Sequence, residues 1–150
     1  SSYMESKASH ELPQLPVGSK IWSEGDILRV QIAGTMDVAE MAVLNELSEA
    51  HFVEWGYVLL LVDAMHTRSI TPAARRLQSE RLQHVLRPSY TTVFGANTTM
   101  RLLSNLVQRG LFLLTKRTYS LSFHKDEAES RAVLATQRTI LQRQAGRLPI

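Results

Sequence analysis

Apolar positions along the chain alternate at period two in some stretches and recur at three and four in others, and these stretches alternate. Ser19–Ser23 and Ile27–Ala33 bracket Glu24-Gly25-Asp26, a short turn in which glycine supplies an unusual φ, so the pair reads as a β-hairpin with Ile27, Val30 and Ile32 marking its second strand. Gly34 closes that strand. Asp37 followed three residues later by Glu40 is the pattern of a capping box at a helix start. The helix is expected to run to about Glu54, burying one face made of Val38, Met41, Leu44, Leu47, His51 and Phe52 and leaving Glu40, Glu46 and Glu49 outside it.

Tyr57–Asp63 is a continuous apolar run, as expected of a central strand covered on both faces. A polar loop over Ala64–Ile70 then leads to Thr71 as N-cap and Pro72 at the first position of a second helix, which reaches about Leu86 before Pro88 prevents extension. Thr91–Gly95 reads as a short strand, Asn97 or Thr98 caps a third helix through Leu114 with Gly110 as its weak point, and Tyr119–Phe123 forms a fifth strand. Asp126 with Glu129 repeats the capping-box pattern, and Ala128, Val133, Leu134, Ile140 and Leu141 mark a final helix. The order ββαβαβαβα predicts an α/β fold, a mainly parallel sheet with an antiparallel edge strand and helices covering it. Pro13, Pro16 and Gly18 make residues 1–18 a flexible arm, leaving 19–150 as one domain.

Composition narrows the functions this fold can carry. A chain of 150 residues that is 44% hydrophobic buries a full core. No stretch is long and apolar enough to span a bilayer and the first twenty residues hold no apolar signal core, so a cytoplasmic location is expected. Zero cysteines exclude disulfides, thiolate catalysis and cysteine-ligated metals. The formal charge of +3 conceals a polarity: residues 1–65 carry three Lys/Arg against ten Asp/Glu, and residues 66–150 fourteen against four. Such a chain either attracts a charged partner or pairs its own halves as they interleave.

The strongest candidate site follows the central strand, where open α/β sheets place their crevices: Asp63, His66, Arg68, Ser69, Thr71, Arg75 and Arg76. A helix N-terminus beside arginines favours a phosphate or carboxylate; the plainer alternative is a capped helix with solvated arginines. Asp63, His66 and Ser69 name the residue types of a nucleophilic triad, but all three fall within one seven-residue loop. The histidines do not cluster at metal-ligand spacing, His51 and His84 read as structural, and no cofactor-binding motif is present. In the third helix, Leu102, Leu106 and Leu113 lie about 90° from the core stripe, and with Arg109 they offer an interface to a partner, a second subunit or a lipid. Nucleic acid is disfavoured, because the aromatic residues of the basic half fall mostly on strands.

From Ser19 to about Gln142 the chain resembles the STAS domain of the anti-sigma-factor antagonists and the broader SpoIIAA-like group, which includes relatives of CRAL-TRIO lipid carriers. The resemblance rests on Val30-Gln31-Ile32-Ala33-Gly34, on Leu59-Leu60-Leu61-Val62-Asp63 followed by Ile70-Thr71-Pro72-Ala73, and on Ser122-Phe123-His124-Lys125-Asp126-Glu127-Ala128-Glu129. It implies a non-enzymatic switch in which a serine at the start of the second helix is phosphorylated. Here the corresponding Asp-Ser pair reads Thr71-Pro72, so that serine is replaced by proline. The resulting expectation is a regulatory module that docks a protein partner, with a homodimer through the third helix. The alternative is a carrier of a small apolar or lipid ligand held between the third helix and the sheet, which requires an enclosed apolar cavity. An enzyme ranks last, since the sequence assembles no acid, base and nucleophile from separate elements.

Overall fold

The computed structural model describes residues 19–84, 87–98, 100–102, 105, 109 and 120–147. Strands β1 (Lys20–Glu24) and β2 (Ile27–Met36) form the expected hairpin, with Glu24 opposite Ile27 and a two-residue turn between them. Gly25 in that turn has φ 59°, a conformation that costs a residue with a Cβ and that glycine adopts freely. Helix α1 (Val38–Trp55) leads to β3 (Val58–Ile70), and α2 (Pro72–His84) leads to β4 (Ser89–Phe94). The described residues 98, 100–102, 105 and 109 are helical and constitute α3; β5 (Leu121–His124) and α4 (Glu127–Arg147) follow.

The strands lie in the sheet in sequence order, β1-β2-β3-β4-β5, with β1 antiparallel and the other pairs parallel. Each crossover therefore steps one strand along, and crossovers of one hand stepping one way leave their helices on one face. Alternation along β2 supplies the two faces. Leu28, Val30 and Ile32 pack with Met41 and Leu47 of α1 and Ala74 and Leu77 of α2, whereas Ile27 packs with Leu59, Leu61, Phe94 and Leu134 and Leu141 of α4. Parallel register extends these rows across the sheet: Val30, Val62, Val93 and Phe123 align on the first face, where the Arg101 guanidinium of α3 lies 5.8 Å from the Phe123 ring. Helix α4 has no further strand to reach and covers the second face.

Two expectations for β2, β3 and α1 change. The residues Ala64–Ile70, read as a loop, continue β3 as strand, paired with β2 from Ala33 to Met36, so Gly34 does not end β2 either. Beyond the Asp63–Phe94 pair β4 has ended, and the last residues of β2 and β3 run on as a two-stranded overhang. The register there passes from Gln31–Asp63 to Ala33–His66 and from Gly34–Thr67 to Thr35–Ser69, which inserts one extra residue into β3 at each step. Those bulges and the solvated surroundings break the alternation that announces a strand. The second change is Val38, which is exposed rather than part of the buried face of α1. The expected arm, residues 1–18, lies outside the described residues.

Candidate functional site

The overhang carries three of the seven candidate residues, His66, Arg68 and Ser69, with Asp63 at its base, and its strand geometry separates them. Asp63 falls in the row Gln31, Asp63, Phe94, His124 on the face that α4 covers, and its carboxylate accepts the backbone N–H of Met65 at 3.0 Å across the first bulge. His66 and Arg68 are exposed, as is Met65, at 61%. Thr67 between them turns inward and donates its hydroxyl to the Ile32 carbonyl at 3.2 Å. Ser69 is exposed and shares a 3.1 Å hydrogen bond with Thr35 across the ribbon. The loop expected to hold Asp63, His66 and Ser69 is thus replaced by a bulged strand.

Where the ribbon ends, two helices begin side by side. The Thr71 N–H donates to the Met36 carbonyl at 2.9 Å, so the ladder holds to the last residue. Asp37 caps α1 by accepting from the Val38 N–H, and Glu40 reaches back to the Asp37 N–H, completing the expected capping box. Thr71 caps α2 by accepting from the Ala74 N–H at 3.1 Å, while its own proton goes to the Asp37 carboxylate at 2.8 Å. One hydroxyl therefore couples the caps of both helices. The bonds from Thr71 and from Val38 N–H hold the Asp37 carboxyl below the usual carboxylate range. Arg75 bends back to the Ile70 carbonyl at 2.8 Å, which leaves Arg76, exposed on the same turn, pointing to solvent with Arg68 and His66 nearby in sequence but on the ribbon.

Gly95, just past β4, sets the other border. It has φ 75°, and a Cβ there would lie 2.3 Å from Met65 Cγ and 3.0 Å from Met65 N, so only glycine lets the chain leave β4 against the overhang. Of the second candidate surface, Leu102 is 59% exposed and Arg109 is exposed, while Leu106 and Leu113 lie outside the described residues. A crevice of about 10 Å3, room for a single water, lies elsewhere, lined by Ser19, Ile21, Val30, Gln31, Ile32, Met36 and Glu40.

No protein-family model matches the chain, and neither does any curated protein. Among solved structures, the unphosphorylated anti-sigma factor antagonist SpoIIAA superposes with a TM-score of 0.54 at 10% identity, over 79% of this chain and 98% of that one. A DUF3478 family protein from Shewanella loihica with a SpoIIAA-like fold gives 0.52 at 16% identity, over 83% and 98%. The fold is that of SpoIIAA. The order of elements and the antiparallel edge strand expected from sequence agree with it.

The SpoIIAA-like sheet also holds a set of residues that the sequence did not mark, at the opposite end from the overhang. The Asp26 carboxylate in the hairpin turn receives both Arg138 Nε at 2.6 Å and Nη2 at 2.8 Å, together with the Tyr57 hydroxyl at 2.7 Å. Burial alone would raise the Asp26 pKa, but the bonds from Arg138 and Tyr57 outweigh it and hold the carboxyl below its usual value. Arg131 joins Glu24 at 2.7 Å and Glu127 at 2.8 Å, and buried Arg29 joins Glu127 at 2.8 Å while lying over Trp22 and Phe94. Hydrogen bonds from Arg29 and Arg131 push the Glu127 pKa down to about 2. On α1, Glu49 pairs with Arg81 and Arg87. The acidic and basic halves of the sequence thus meet as ion pairs within the molecule. His51 is structural, as expected: it is fully buried, donates to the Asp26 carbonyl at 2.8 Å, and has its pKa lowered by burial.

Proposed function

We propose that this chain is a regulatory module that captures a protein partner on the β2–β3 overhang and the first turn of α2. The observation that carries the reading is the exposed set Met65, His66, Arg68 and Arg76, mounted on a ribbon held by the bonds Thr67–Ile32, Thr35–Ser69 and Thr71–Met36. A large apolar side chain left in water on a strand that also exposes Arg68, with a backbone fixed by bulges, twin caps and the Gly95 approach, is the composition of a binding hot spot rather than of a reaction centre. Likeness to the fold of an anti-sigma factor antagonist supports the same reading. Asp63, Ser69, Thr71 and Arg75 serve the frame of this surface, and His66, Arg68 and Arg76 its contacts. Pro72 carries no hydroxyl, and the Thr71 hydroxyl is held by Asp37, so docking here proceeds without a phosphorylation gate at the start of α2.

The test places a photo-crosslinking amino acid at Met65 and, as a control, at exposed Gln144, and identifies the proteins joined in cells. A partner joined from Met65 alone, whose affinity for the purified chain falls at least tenfold in Arg68→Glu/Arg76→Glu, meets the expectation. Equal crosslinking from both positions, or an unchanged affinity, overturns it. The exposure of Leu102 favours a second surface on α3 for a twin subunit or a lipid. Leu102→Glu should then shift sedimentation toward a monomer or abolish retention on anionic vesicles; no change in either removes that surface.

A further inference from the structure

We infer that Ser122 is a nucleophile activated by His124 and Glu129, able to accept an acyl group from a small activated ester. Ser122 and His124 lie two apart on β5 and so point to one face of the sheet, the face that α4 covers. The Ser122 Oγ and His124 Nε2 atoms are 2.7 Å apart, and on the far side of the ring His124 Nδ1 faces Glu129 Oε1 of α4 at 3.5 Å. In the tautomer whose Nδ1 proton faces that carboxylate, the Nε2 lone pair is directed at the serine hydroxyl, which is the arrangement a nucleophile and its base require.

Helix capping explains why Glu129 is available. Asp126 caps α4 by accepting the Glu129 N–H at 2.9 Å, but the Glu129 side chain does not return to Asp126 as the expected capping box requires. It turns to His124 instead, and its other oxygen faces Lys125 Nζ at 3.6 Å. Three residue types that the sequence did not combine are thereby drawn from a strand and a helix. Ser122 also sits at the rim of the α4 cover. Leu134 and Leu141 seal the rows of Leu59 and Leu61, while β5 is the last strand of the sheet and its residues are half-buried.

In the reaction, Ser122 Oγ bonds to the acyl carbon as its proton passes to His124 Nε2. The carbon–oxygen bond to the leaving group breaks, and the leaving oxygen takes that proton. Water, deprotonated by the same imidazole, then attacks the acyl-serine, releasing the carboxylic acid and restoring the hydroxyl. Ser122 would touch the substrate, His124 would move the proton, and Glu129 is a positioning residue. The docking reading takes its contacts from His66, Arg68 and Arg76 and this one rests on Ser122, His124 and Glu129, sets with no residue in common, so the two fail independently.

The test uses an alkyl fluorophosphonate on the whole chain, in which the serine oxygen displaces fluoride from phosphorus, with the adduct located by peptide mass spectrometry. Labelling should fall on Ser122 well ahead of exposed Ser69, vanish in Ser122→Ala, and slow about 100-fold in His124→Ala, the usual contribution of a general base. Added imidazole should restore part of the His124→Ala rate, which a purely structural histidine would not allow. Turnover of p-nitrophenyl acetate should follow the same order. Labelling no faster at Ser122 than at Ser69, a comparison that needs no variant, overturns the inference, as does labelling at an unchanged rate without His124.

Discussion

The two faces of the sheet solve the same packing problem with different chemistry. Helices α1 and α2 are held by aliphatic side chains, Met41, Leu47, Ala74 and Leu77 against Leu28, Val30 and Ile32. Helix α4 presents little more than Leu134 and Leu141 and is fastened by Arg131 and Arg138 to the hairpin and by Glu127 to Arg29. Apolar burial is non-directional and nearly indifferent to pH, so it holds wherever the surfaces meet. Ion pairs in fixed geometry set register along the helix, and they respond to protons and to the loss of one partner. The first face therefore supplies cohesion, and the second fixes where α4 sits.

Truncation on the apolar face should have the largest effect. Leu28 is fully buried, and Leu28→Ala is expected to cost about 3 kcal/mol, the usual range for such a cavity, read as a lowered midpoint in urea. On the other face Asp26→Ala strands Arg138 and the Tyr57 hydroxyl; because Arg138 is partly solvated, about 2 kcal/mol is expected. A loss below that of a surface substitution would show that α4 is held by its leucines alone.

Acid should separate the faces without mutation. The folded pKa of Glu127 is about 2 against an ordinary 4.5, so its contribution is complete above pH 4.5 and is lost as pH falls toward 2; Asp26 moves in the same direction. His51 adds an earlier window: its folded pKa lies below 6.5, so the stability of its neutral form is lost as pH falls through 6.5 toward that lower value. Trp22 lies beside Arg29 on the α4 face, and Trp55 belongs to α1. In Trp55→Phe, the emission of Trp22 should change between pH 4.5 and 2; a flat titration would contradict the ionic account of α4.

Smaller effects mark the boundary of the comparison. Thr71→Val removes the hydroxyl that joins the caps of α1 and α2 and should cost about 1 kcal/mol, seen as a drop in Tm. Lys125→Ala, which breaks an exposed pair with Glu129, should stay within about 0.5 kcal/mol.

Much of the fold was legible because the period of the apolar residues changes cleanly from element to element. Tyr57–Asp63 reads as a doubly covered strand, and Leu59 and Leu61 are fully buried on one face while Leu60 and Val62 join the other. The overhang was not legible. Asp63-Ala-Met-His-Thr-Arg-Ser-Ile shows no alternation because two bulges shift its phase, so by pattern alone Ala64–Ile70 reads as a polar loop. The individual ion pairs were hidden for another reason: Glu24 and Arg131 are 107 residues apart, Asp26 and Arg138 are 112, and local pattern carries no information about such partners. The charge polarity of the two halves was the trace they left. Asp37 and Thr71 were each visible as caps, but their mutual bond was not.

The identity of sheet order and sequence order has a bearing on how the protein is made. Each strand that leaves the ribosome finds its neighbour already in place, so the sheet can grow in the direction of synthesis without waiting for a distant strand. Only the second face must wait. Until α4 is translated, Leu59, Leu61 and Phe94 have no helical cover and Asp26 has no guanidinium, and the helix that supplies both must return to the first hairpin that was synthesised. The first hairpin and the last helix of the described residues thus close on one another, and a nascent chain halted before α4 carries a sticky, half-built sheet that chaperones would have to shield.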